Sequence, residues 1–96
     1  MVFSSSDAKS PEDESAGSAE ILGILVGKKH DVVVSVQKLL TTYGCYIRTR
    51  LGVNEVFFGE PAGLIILELT GDKTQHRHLE RDLMALKDVH VRKMVF

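Results

Sequence analysis

The chain has 96 residues, 44% of them hydrophobic and 26% charged, with a net charge of -1. That size bounds one small domain, and that charge excludes a strongly electrostatic nucleic-acid or membrane-surface binder. A single cysteine, Cys45, excludes an internal disulfide and suits a reducing, cytoplasmic compartment.

The N-terminus lacks a basic-then-apolar signal pattern, and no apolar run approaches a membrane span, so no membrane partner is expected. Residues 1–20 carry Lys9 against Asp7, Glu12, Asp13, Glu14 and Glu20. The rest carries eleven Lys and Arg against eight Asp and Glu. The stretch SSSDAKSPEDESAGSA, residues 4–19, has no large apolar side chain and cannot bury enough surface to offset ordering entropy. Residues 1–19 therefore read as a disordered acidic tail and 20–96 as the domain.

From Glu20, EILGILVGKK is a nearly continuous apolar run, which reads as a strand buried on both faces. Asp31 is placed to cap a helix whose apolar residues Val32, Val36, Leu39, Leu40 and Tyr43 recur at helical spacing. Gly44 suits the end of that helix. CYIRTRLGV then alternates, with Cys45, Ile47, Thr49, Leu51 and Val53 on one side and Tyr46, Arg48 and Arg50 on the other. Its charges mark an edge strand. NEVFFGEPAG, with Asn54, Gly59, Pro61 and Gly63, reads as a turn or long hairpin. GLIILELTG is a second apolar strand. Gly71 and Asp72 end it and start a second helix, with Leu79, Leu83 and Leu86 on one side. VHVRKMVF closes the chain as a strand whose alternation Lys93 interrupts.

The order is β-α-β-β-α-β, the ferredoxin-like α+β arrangement: a four-stranded antiparallel sheet with two helices on one face. Right-handed crossovers put the first and third strands in the centre and the arginine-bearing strands at the edges. The helices cover one face only, so in either register large aliphatic side chains of the central strands point to the other. Apolar patches of that kind are usually covered by another chain. A homo-oligomer, dimer or tetramer, is expected. Val56, Phe57 and Phe58, three large apolar residues read as loop, are expected at its interface.

Over residues 20–96 this order resembles the ACT and ACT-like regulatory domains. More closely, ILVGKKHDVVVSVQKLLTTYG, IRTRLGV, GLIILELTGD and VHVRKMVF resemble the small bacterial iron-only hydrogenase system regulators. The most specific piece is Arg50, Leu51, Gly52 and Val53 at the end of the second strand. The resemblance implies a non-catalytic, oligomeric regulatory or small-molecule-binding module. Amino-acid-binding ACT domains have a glycine at the start of the first helix. Here that turn reads Gly27, Lys28, Lys29, His30, Asp31, Val32, which argues against that binding mode.

The residues themselves suggest little catalysis. Cys45 follows a helix C-terminus, where partial negative charge disfavours a thiolate, and it reads as a buried structural cysteine. No nucleophile triad, phosphate loop or acid pair stands out, so neither an enzyme nor a cofactor is expected. His76 and His78 are two apart on a helix, about 200° around it, and cannot share a metal ion. His76 is expected at the core edge and His78 in solvent. A metal-responsive sensor and a small enzyme of the dimeric ferredoxin-like barrel type are the alternatives. Direct nucleic-acid binding is not expected, because the central strands lack the aromatics that RNA-binding sheets of this fold use. Lys28, Lys29, His30, Arg48 and Arg50 remain. They read either as a solvated basic edge or as the site of a small anionic ligand.

Overall fold

The computed structural model describes residues 19–57 and 60–96, with side chains described at 19–53 and 62–96. The elements run β1 (Glu20–Gly27), α1 (His30–Thr42), a 3-10 turn (Gly44–Tyr46), β2 (Ile47–Phe57), β3 (Glu60–Leu69), α2 (Lys73–Met84) and β4 (Val89–Val95). The strands form one antiparallel sheet in the order β2-β3-β1-β4, the ferredoxin-like topology, with β1 and β3 central. Residues 1–18 lie outside the described residues. Ala19 exchanges two backbone hydrogen bonds with Phe96, so β1 is joined to β4 from its first residue onward.

Both helices lie on one face of the sheet. Leu22, Ile24 and Val26 of β1, Ile65, Leu67 and Leu69 of β3, and Val89 and Val91 of β4 point toward them and are buried. Val36 and Leu40 of α1 and Leu79 and Leu83 of α2 close the core from the other side. Each such side chain, fully buried, contributes about 1.5–3 kcal/mol. The expectation that β1 is buried on both faces is corrected: Ile21 and Leu25 are only half-buried, because no helix covers their side. Lys93 breaks the β4 alternation for a local reason. It points toward α2, and its Nζ donates to Glu80 at 3.2 Å.

The helix ends also differ from the sequence reading. The cap position of α1 is Lys29, whose side chain makes no capping bond, and Asp31 sits inside the first turn. There its charge still favours the positive helix end. Tyr43, not a left-handed glycine, closes α1, and Gly44 opens the 3-10 turn. α2 starts as expected: Asp72 accepts from the Thr74 amide at 2.8 Å, and Gly71 before it has φ +82. That positive φ suits glycine, and a Cβ there would meet the Tyr46 ring at 3.4 Å.

The strand with two arginines departs most from its expected form. Ile47 pairs with Leu69, but Thr49 pairs with the next residue back, Glu68, so β2 bulges at Arg48. A bulge turns every later side chain to the opposite face. Ile47 faces the helices, whereas Thr49, Leu51 and Val53 face the uncovered side with Glu68, Ile66 and Leu64. Arg50 and Gly52 are sent to the helix side, opposite Leu67 and Ile65. Tyr46 and Cys45 are in the turn, not the strand. β2 and β3 stay paired out to Phe57 and Glu60, so Val56 and Phe57 continue a strand where a loop was expected. The side chains of Val56 and Phe57, and Phe58 altogether, lie outside the described residues.

Candidate functional site

Two surfaces carry features beyond packing. One is a cleft on the helix side, about 730 Å³ in volume. The end of β1 contributes Val26, Gly27 and Lys28; α1 contributes Val33, Val36 and Gln37. β2 contributes Arg50, Gly52 and Val53, and β3 contributes Ala62, Gly63, Leu64 and Ile65. β1 ends at Gly27 opposite Ala62, while the β2–β3 ladder continues past it. α1 therefore faces a part of the ladder with little between them. Gly52 keeps that space open: a Cβ built on it meets no heavy atom within 4 Å.

Among the described lining residues the polar side chains are Lys28, Gln37 and Arg50. An Arg50 N–H donates to Gln37 Oε1, which ties the guanidinium of β2 to α1 across the opening. Among the described residues no carboxylate pairs with Lys28 or Arg50 and none lines the cleft. The structure thus brings together two of the five residues named for an anion. Lys29 and His30 are exposed at the start of α1 and do not line the cleft. Arg48 is elsewhere too. As the bulge residue it contacts Glu68 Oε2 at 3.5 Å and donates to the Thr70 hydroxyl at 3.1 Å. Sequence reading missed Gln37, Val33 and Val36, whose helical spacing looks like ordinary core. Gly52 gave a usable signal, since glycine inside a strand marks a bulge or an open approach.

The second surface is the uncovered sheet face. Ile21 and Leu25, Leu64 and Ile66, and Leu51 and Val53 form an aliphatic field across three strands. Leu51 is 57% exposed and Val53 42%. Met94, Arg92 and His90 of β4 flank the field on one side. On the other, Thr49 donates to Glu68 at 2.8 Å.

A third group of polar residues is structural in position. His76 is buried at 4% exposure, deeper than the core edge where it was expected, and His78 is half-buried rather than in solvent. His76 Nε2 lies 2.6 Å from the Thr70 carbonyl, which only accepts, so that nitrogen carries the hydrogen. Nδ1 lacks a hydrogen-bond partner and faces Glu20 Oε1 at 3.6 Å. Glu20 in turn accepts from Lys73 at 3.1 Å. Burial alone would raise the Glu20 pKa. The hydrogen bond and charge of Lys73, with the fields of His76 and Lys93, outweigh that and hold it below the ordinary value. Tyr43 donates to Asp82 at 2.8 Å and links the two helices. That bond, set against desolvation and aided by Arg81, lowers the Asp82 pKa; the same bond raises that of Tyr43.

Among the described residues no three His, Cys, Asp or Glu side chains converge as a metal-ligand set. Cys45 is exposed, which corrects its reading as a buried cysteine; the 3-10 turn carries it outside the core. Among the described residues no helix is long and apolar enough to cross a membrane.

No family model matches the chain, and no curated protein matches it. Among solved structures it is similar to the uncharacterized protein TM1266 from Thermotoga maritima. The two are 24% identical, with a TM-score of 0.71, over 81% of this chain and 95% of that one. The likeness extends to the fold.

Proposed function

We propose that this chain is a non-catalytic regulatory module that binds a small molecule and works as a homo-oligomer. The observation that carries the reading is the aliphatic face of the sheet, left without a cover by both helices. A second copy is the occupant that fits it. Strands of seven or eight residues make a face of roughly 19 by 23 Å at ordinary strand spacing. Two such faces hide roughly 900 Å² in flat projection, and side-chain relief brings that into the range of about 1,200–2,000 Å² of specific interfaces. The face also carries both charge signs, Glu68 near one edge and Arg92 at the other, so two copies can oppose them. The sequence resemblance to the iron-only hydrogenase system regulators supports the regulatory role. The cleft supports small-molecule binding.

The test is the mass in solution. At about 10 µM, a concentration at which stable interfaces persist, light scattering should return a dimer or higher assembly. Leu51→Glu places a charge on the face at an already exposed position, so the monomer still folds, and the assembly should dissociate. A monomeric wild-type protein, or a Leu51→Glu variant that stays assembled, overturns the reading.

A further inference from the structure

The cleft is built within one protomer and opens on the helix side of the sheet, and only Val53 and Leu64 border both it and the assembly face. We propose that it takes a small organic anion, an acidic head group on a short aliphatic body. The inference rests on the reading of the chain as a small-molecule-binding module and assigns that module its ligand class. Three observations converge on it. The cations of the cleft, Lys28 and Arg50, have no counter-charge among the described lining residues. Gln37 occupies one donor of Arg50 and aims the guanidinium, whose fork pairs with a carboxylate or a phosphate. The deeper wall is aliphatic, with Val33, Val36 and Ile65, where each buried methylene strengthens binding about fourfold.

To these three the space at Gly52 adds room for the ligand, since a Cβ would enter it without contact. A cleft of about 730 Å³ is within the size range of small-molecule sites. A bare inorganic ion would leave its aliphatic wall wet. A neutral hydrocarbon would leave two cations facing it without a counter-charge among the described lining residues. An anionic head with an aliphatic body satisfies both parts.

The experiment is an amide NMR titration of the full-length chain with sodium octanoate, octyl phosphate, 1-octanol and inorganic phosphate. Octanoate or octyl phosphate should give saturable shifts at Gly27, Val33, Gln37 and Gly52 below about 10 mM, and the tighter of the two identifies the head group. Octanol and inorganic phosphate should each bind at least about tenfold more weakly, as should octanoate to Arg50→Gln, since a charge-assisted hydrogen bond is worth that much. Gly52→Leu should abolish binding while the core amides keep their positions, because the new side chain enters open space. No saturable shift at the cleft overturns the proposal. So does octanol or inorganic phosphate binding as well as octanoate, undiminished binding by Gly52→Leu, or shifts centred on Leu25, Leu51 and Ile66. Assembly is measured separately by light scattering. Loss of cleft binding in an assembled protein defeats this inference alone, and cleft binding by a monomer defeats the assembly alone.

Discussion

Glu20 is an acid at the start of a strand, and its surroundings invert what burial alone would do. Taking a carboxylate out of water raises its pKa, yet Lys73 at 3.1 Å, with His76 and Lys93 nearby, leaves it lowered. The folded state therefore favours the ionised form. Its stabilising contribution is complete above the ordinary glutamate value of about 4.3 and is lost as pH falls through the lowered folded value. Urea unfolding at about pH 7 and pH 3 should show this. Glu20→Gln should be less stable than wild type at neutral pH and should lose less stability on acidification. Equal losses in both proteins would remove Glu20 from the account. The sequence held a weak sign of the role, an acid just before an apolar run. Its partners, Lys73 and His76, are over fifty residues away and meet it only because α2 starts above the first residues of β1.

β2 shows how one inserted residue changes the use of a whole strand. Read as a plain alternation, CYIRTRLGV sets Ile47, Thr49, Leu51 and Val53 on one face and both arginines on the other. The bulge at Arg48 separates these sets. Leu51 and Val53 join the uncovered sheet face, and Arg50 and Gly52 reach the cleft. The piece Arg50-Leu51-Gly52-Val53 thus serves two surfaces by turns. No local signal marks the bulge, because either pairing leaves a regular pattern of residue types. The winning register is the one that keeps Ile47 in the core beside Leu69 and puts Arg48 within reach of Glu68 and Thr70. Deleting Arg48 should leave a straight ladder with Ile47 on Leu69 and Thr49 on Glu68. That variant is expected to fold, to lose about 1–2 kcal/mol from broken polar contacts, and to keep both assembly and octanoate binding. Loss of octanoate binding with the fold intact would show that the bulge itself shapes the cleft.

For the whole molecule, the charges on the open face choose between two ways of stacking two copies. A two-fold axis across the strands would put β4 on β4 and bring Arg92 of one protomer onto Arg92 of its partner, since they share the central level of the face. Like charges directly opposed are unfavourable. A two-fold axis along the strands puts β4 over the partner's β2. Arg92 then lies over Leu51 and within reach of Glu68, and Leu25 meets Leu64. Cysteine cross-linking separates these arrangements in a Cys45→Ser background. The double variant Leu51→Cys, Arg92→Cys should form an intermolecular disulfide, and Leu51→Cys alone should not. Efficient linkage by Leu51→Cys alone would instead set β2 against β2.

The sequence by itself determined the element order, the central places of β1 and β3, and the presence of an uncovered aliphatic face. Those follow from runs of apolar residues, from turn glycines and from the handedness of crossovers, all of which are local or topological. It also contained the two cations of the cleft, among five indistinguishable candidates. Only the tertiary structure decided that Lys28 and Arg50 share a space while Lys29, His30 and Arg48 do not. The physical reason is register. A strand side chain's face depends on which residue it pairs with, and in β2 the pairing that wins keeps Ile47 in the core beside Leu69 and Arg48 within reach of Glu68 and Thr70.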